Sequence, residues 1–145
     1  AGAVSRLVNI GIPPFLVASA LLGAVAQRLV RVICPRCRQA HDPEPHEQDL
    51  LRGQIESGAV SRLARGQGCP YCYRSGYKGR KAIYEIMPVS HEIRRMILDG
   101  AGDSLLKEQA IKEGMKTLRT NALDEVVRGS TTIEELTRVV DLQSD

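Results

Sequence analysis

Two short steps constrain this chain more than anything else in it: Cys34-Pro-Arg-Cys37 and Cys69-Pro-Tyr-Cys72. They contain all four of its cysteines. In each step two residues separate the thiols and a proline stiffens the turn, so both sulfurs can face one ion. Two such steps are the usual way to build a tetrahedral four-thiolate zinc site from Cys34, Cys37, Cys69 and Cys72. The site would bring positions 34–37 and 69–72 together whatever lies between them. The 31 residues in between, 38–68, exceed the roughly 15–20 of an ordinary zinc ribbon and are read as a helical insertion. A shell of four thiolates leaves no position for water, so the metal is expected to be a staple rather than a reagent.

Other uses of the same residues stay open at this point. A thioredoxin-like redox pair needs one Cys-x-x-Cys opening a helix after a strand, whereas Cys34 is expected to follow a helix. Paired structural disulfides do not suit a reducing compartment. His41 and His46 lie between the cysteine steps and could ligate, but a full set of thiolates does not require them. His91 reads as a residue on a helix surface.

The core must be aliphatic, because the chain has one Phe, four Tyr and no Trp. Its 43% hydrophobic and 26% charged residues describe a globular protein rather than a disordered one. Residues 1–81 carry 12 Lys/Arg against 5 Asp/Glu, and residues 82–145 carry 8 against 12. A basic half beside an acidic half suggests a polar contact, although a solvated surface gives the same count. The longest apolar run, Phe15–Ala26, is short of the roughly 20 residues needed to span a bilayer. No secretory signal is seen, so a cytosolic chain with reduced thiols is expected.

Along the chain, Val4, Leu7 and Val8 fit an amphipathic helix, broken at Gly11-Ile12-Pro13-Pro14. Pro14 suits the first turn of a second helix, expected to run to Ile33 with a buried first half. Arg28 and Arg31 would lie on a different face of it from Leu29, Val32 and Ile33. Residues 46–65 read as one or two weak helices, with Leu50, Leu51, Ile55, Val60 and Leu63 inward and Gly53 and Gly58 weakening them. Residues 82–88 alternate as a strand stopped by Pro88. Everything after Ser90 reads as helical. Ser90 caps one helix, Asp103 or Ser104 opens the next, Thr117 opens a third, and Thr131 with Glu134 forms a capping box for the last. Gly100, Gly114 and Gly129 end the first three.

The sequence contains no GxxxxGK[ST] loop, GxGxxG, HExxH or GxSxG. "GYKGRK", Gly76–Lys81, is too short for a phosphate loop and is read as a glycine turn leading into the strand. A basic turn that touches a phosphate or an acidic partner is its functional reading. No residue presents a catalytic role by itself.

The ordered segments "RLVNIGIPPFLVASALLGAVAQRLVRVICPRC", "CPYC", "GYKGRKAIYEIMPV" and "GMKTLRTNALDEVVRGSTTIEEL" resemble the C-terminal part of the type II secretion and type IV pilus assembly (extension) ATPases. The likeness covers about Ala3 to Val140. Its most specific features are the tetracysteine insertion after "AQRLVR" and the "GYKGR-x-x-IYE" strand. Retraction ATPases of that superfamily generally lack the insertion. The resemblance implies a parent that is a ring-shaped, usually hexameric ATP hydrolase at the cytoplasmic face of the inner membrane. It implies work on an inner-membrane platform protein, and ATP and magnesium bound in a RecA-like domain outside this segment. Walker and His-box elements are absent here, so no catalytic residue carries over. The chain is accordingly read as a C-terminal fragment inactive alone, with a stand-alone product as the alternative.

The expected architecture is α+β and mostly helical. Residues 1–33 would be terminal helices of the RecA-like domain, 34–81 a zinc-stapled subdomain, and 82–145 a strand plus a small helical bundle. The zinc ligands transfer by resemblance, while Arg28, Arg31, Lys78 and Arg80 are candidate subunit or partner contacts. A zinc-ribbon nucleic-acid module is the alternative function. It would use Arg36, Arg38, Arg65, Arg74, Lys78 and Arg80 with Tyr71, Tyr73 and Tyr77. The modest net charge and the acidic helical half weigh against it, and no nucleic acid is expected.

Overall fold

A computed structural model describes residues 1–52 and 62–140. Expected inward positions Ile55 and Val60, with Gly53 and Gly58, lie outside the described residues. The described chain is α+β and divides into two compact units, 1–26 with 85–117 and 27–84 with 118–145.

The first unit begins with α1 (Gly2–Asn9) and α2 (Pro14–Ala20). Pro14 occupies the first turn of α2, where its missing N–H costs nothing. The expected continuation of this helix to Ile33 is replaced by a strand, β1 (Gly23–Ile33). Leu21 is extended at ψ 120 and ends the helix. The β-branched Val25, Val30, Val32 and Ile33 then suit a pleated strand. The first half of the expected helix is not wholly buried either: Phe15 and Leu16 are exposed, and Val17 and Ala18 face the core.

β1 pairs with β4 (Tyr77–Pro88). The Val89 N–H donates to Leu22 O at one end and the Cys34 N–H to Gly76 O at the other, which fixes an antiparallel ladder. β4 begins earlier than position 82, so Lys78, Gly79 and Arg80 are strand residues, and the turn lies at 73–76.

Two helices complete the first unit: α4 (His91–Leu98) and α5 (Asp103–Lys112). As expected, the Ser90 hydroxyl caps α4, accepting from the Ile93 N–H at 3.1 Å. The core gathers Val4, Val17, Met87, Ile93, Ile97, Leu106 and Ala110. Burying each of the larger side chains stabilises the unit by about 1.5–3 kcal/mol.

In the second unit β2 (Arg38–His41) pairs antiparallel with β3 (Leu63–Gly66), in a register running from Arg38↔Gly66 to His41↔Leu63. α3 (Pro45–Leu51) follows β2 and falls within the residues 46–65 expected to hold one or two helices, whereas Leu63, expected inward on a helix, is buried on a strand. α6 (Leu118–Val127) and α7 (Ile133–Val139) close the unit around Val30, Leu63, Ile83, Ala122, Leu123, Val126, Ile133 and Leu136. α4 and α5 build the first core, α6 and α7 the second.

Thr132, not Thr131, caps α7, accepting from the Glu135 N–H at 3.2 Å. Thr131 is already committed, since its hydroxyl donates to Arg31 O at 2.8 Å. This correction by one residue has consequences at the candidate site.

Candidate metal centre

The ladders explain why distant cysteines meet. Cys34 stands at the end of β1 and Cys37 just before β2, while Cys69 follows β3 and Cys72 precedes β4. The β2–β3 ladder folds the insertion back on itself, and the Gln67 N–H donates to Cys37 O at 3.0 Å. The β1–β4 ladder does the same for the other two cysteines through the Cys34 N–H to Gly76 O bond of 2.9 Å. Each knuckle is closed locally as well. The Cys37 N–H reaches Cys34 O at 3.3 Å, and the Cys72 N–H reaches Cys69 O at 3.2 Å.

Sequence reading missed a second requirement, which is close backbone approach. A Cβ on Gly66 would lie 2.0 Å from Gly76 O, and one on Gly76 would lie 2.6 Å from Gly66 O. Gly76 also holds φ 76, which disfavours a side chain there for a second reason. The two glycines let the chain segments flanking the second knuckle touch. "GQG" before Cys69 and the glycine that opens "GYKGRK" are its local traces in the sequence.

The four ligand sulfurs lie within 4.8 Å of one another. The sulfurs are 3.9 Å apart for Cys34–Cys69, 3.8 Å for Cys37–Cys72 and 3.7 Å for Cys69–Cys72. A tetrahedral shell with sulfur–metal bonds of about 2.3 Å requires sulfur–sulfur edges of about 3.8 Å. The cage therefore fits a tetrahedral metal ion, and the cysteines are free thiols rather than disulfides. Cys34 follows a strand rather than the expected helix. Its step leads into β2, so it still lacks the strand-then-helix setting of a thioredoxin-like pair.

The electrostatics reflect a crowded set of sulfurs. Burial pushes the Cys37 thiol up, the Gly68 N–H opposes this, and the sulfurs of Cys34, Cys72 and Cys69 add to it, to about 12. Burial also raises Cys72, but the N–H groups of Cys69 and Gly76 and the thiols of Cys69 and Cys37 outweigh it. They bring Cys72 down to about 6. Like charges in one small site cannot all form unaided. A cation at the centre reverses this, because a coordinating thiol is deprotonated outright. No other group of three or more His, Cys, Asp or Glu among the described residues is arranged to hold an ion. His41 instead meets Glu47 at 3.2 Å and His46 meets Glu44 at 3.6 Å.

The strand bearing Cys34 is clamped to the start of α7. The fully buried Glu135 accepts from the Arg31 backbone N–H at 3.0 Å, from Arg31 Nε at 2.7 Å and from Arg138 Nη2 at 2.6 Å. Burial pushes its carboxyl up, but the Arg138 and Arg31 hydrogen bonds outweigh this and hold it at about 2. Tyr77 Oη shares a 2.7 Å hydrogen bond with Thr132 Oγ1, and the Arg31 guanidinium lies 4.2 Å from the Tyr77 ring centroid. The Ile33 N–H donates to Ser130 O at 2.9 Å. None of these pairings is readable from the sequence, because a contact between positions 31 and 135 leaves no local pattern.

Of the candidate contact residues, Arg31 is thus engaged within the chain. Arg28 is exposed and donates to Gln27 O. Lys78 is exposed and lies over Tyr71 and Tyr73. Arg80 is exposed.

The family model described as type II/IV secretion system protein matches residues 1–138. The chain belongs to this family. It is 41% identical over 138 residues to the type IV pilus assembly ATPase PilB of Thermus thermophilus, covering 94% of this chain and 15% of that protein. It is 39% identical over 138 residues to a putative type II secretion system protein E of Escherichia coli K12, covering 95% and 27%. The type II secretion system ATPase E of Vibrio cholerae is 38% identical over 138 residues, with the same coverages of 95% and 27%. The chain spans between 15% and 27% of the length of these relatives. No described helix is long and apolar enough to cross a membrane.

Proposed function

We propose that this chain is the C-terminal, zinc-binding part of an assembly ATPase that powers pseudopilus or pilus assembly at the inner membrane. The observation that carries the reading is a cage of four thiols inside a chain whose residues 1–138 match the type II/IV secretion family. Cys34, Cys37, Cys69 and Cys72 hold a structural zinc ion, which completes the 34–81 subdomain and supplies no reaction of its own. ATP and magnesium belong to the parent's nucleotide domain. The segment is inactive alone and serves ring assembly and the transmission of nucleotide-driven motion. The parent works as a homo-oligomer, a hexamer, in the cytoplasm, held at the inner membrane through platform and cytoplasmic secretion proteins.

A chimera tests this. Residues 1–138 replace the matching segment of the Vibrio cholerae ATPase, and secretion is measured in a strain lacking its own copy. The chimera should restore secretion, and the same chimera with Cys69→Ser should not. A stable chimera that fails to secrete, or a Cys69→Ser chimera that secretes normally, would count against the reading.

A further inference from the structure

The two knuckles carry positive charge that no carboxylate among the described residues meets. Residues 34–41 and 66–81 contain no Asp or Glu. Arg36, Arg74 and Lys78 are exposed there, and among the described residues none of them meets a carboxylate. The Arg36 guanidinium lies 4.0 Å from the centroid of Tyr71. The Lys78 ammonium lies 4.9 Å from the same ring and 5.2 Å from that of Tyr73. Tyr73 is 86% exposed yet holds φ 53, and Arg74 follows at φ 61. Side chains rarely adopt this left-handed backbone, and glycine adopts it without steric cost. A ring so open to water gains little from packing, so a strained backbone that displays it points to a role at the surface.

We propose that this cation–aromatic face of the knuckles docks a carboxylate-rich segment of a partner protein. The rings hold Arg36 and Lys78 in place beforehand, which lowers the ordering cost of binding. A guanidinium fork and an ammonium then point donors at carboxylates. Single-stranded nucleic acid needs free ring faces for stacking, and here two cations lie over Tyr71 and one over Tyr73, which leaves fewer of them. A membrane surface needs apolar side chains to insert, and residues 34–38 and 68–80 contain no Leu, Ile, Val or Phe. The proposal rests on closed knuckles, so metal content is measured on every sample and separates a failed site from a failed cage.

The test titrates metal-loaded protein into a fluorescently labelled oligo-glutamate peptide and follows anisotropy. Oligouridylate RNA and phosphatidylglycerol vesicles serve as parallel arms. Saturable binding of oligo-glutamate, weakened by added salt, is expected. Arg36→Gln and Lys78→Gln should each weaken it about tenfold at unchanged metal content. Tyr73→Gly should weaken binding while raising the midpoint of unfolding, a pairing that a purely structural tyrosine would not give. The proposal is overturned if oligo-glutamate does not bind saturably, if RNA or vesicles bind more tightly, or if these variants bind like the parent.

Discussion

Replacing Glu135 by Gln asks how firmly the strand carrying Cys34 is held to α7. Glu135 is fully buried and takes hydrogen bonds from both Arg31 and Arg138. Removing one partner of a buried ion pair costs about 3–5 kcal/mol when the other charge stays buried. Here the side chains of Arg31 and Arg138 are 39% and 60% exposed, so both recover water when Glu135 is lost. Screening at that open side brings the expected loss down to about 2 kcal/mol. The carboxyl's position gives a similar figure. Its pKa is lowered from 4.5 to about 2, for which linkage sets a ceiling of about 3 kcal/mol before screening.

Because the folded value is depressed, this stabilisation is present above the ordinary carboxylate range. It is lost as pH falls from about 4.5 toward about 2. Urea unfolding followed by circular dichroism should therefore show Glu135→Gln less stable than the parent by about 2 kcal/mol at pH 7, with the gap closing in acid. A variant as stable as the parent at pH 7, or a gap that does not change with pH, would refute the reasoning.

Three further outcomes follow from the same geometry. Gly76→Ala should cost more than about 2 kcal/mol, because a Cβ would both meet Gly66 O and sit at positive φ; metal affinity should fall with it, checked by a chelator competition. Leu106→Ala, at a fully buried position of the first core, should cost about 2–5 kcal/mol in denaturant unfolding and leave metal content unchanged. Tyr77→Phe should lose about 1 kcal/mol with the Thr132 hydrogen bond but keep the ring under Arg31, read as a small shift of the urea midpoint.

What could be read from the sequence was local or repeated. The Cys-Pro-x-Cys steps announce themselves, and caps and glycines place the helices after Ser90 because those signals lie within a few residues of each boundary. The stretch 23–33 misled because Ala24, Ala26, Gln27, Arg28 and Leu29 favour a helix, while the strand is selected by pairing with β4, which begins 44 residues after β1 ends. The α7 cap slipped by one residue because Thr131 and Thr132 look alike until Arg31 O claims the first. The Gly66–Gly76 approach and the Glu135 clamp are long-range and have no local signature. The helical reading of the insertion failed at Leu63 for the same reason, since that residue is held by its pairing with His41.

The central claim is that four thiolates close around a structural zinc ion. The most direct measurement is elemental analysis of desalted native protein, coupled to thiol titration before and after metal displacement. The account predicts a single zinc per chain, with Cys34, Cys37, Cys69 and Cys72 reacting only once the metal is removed. Folded protein without stoichiometric zinc, whose four thiols react at once, would contradict it.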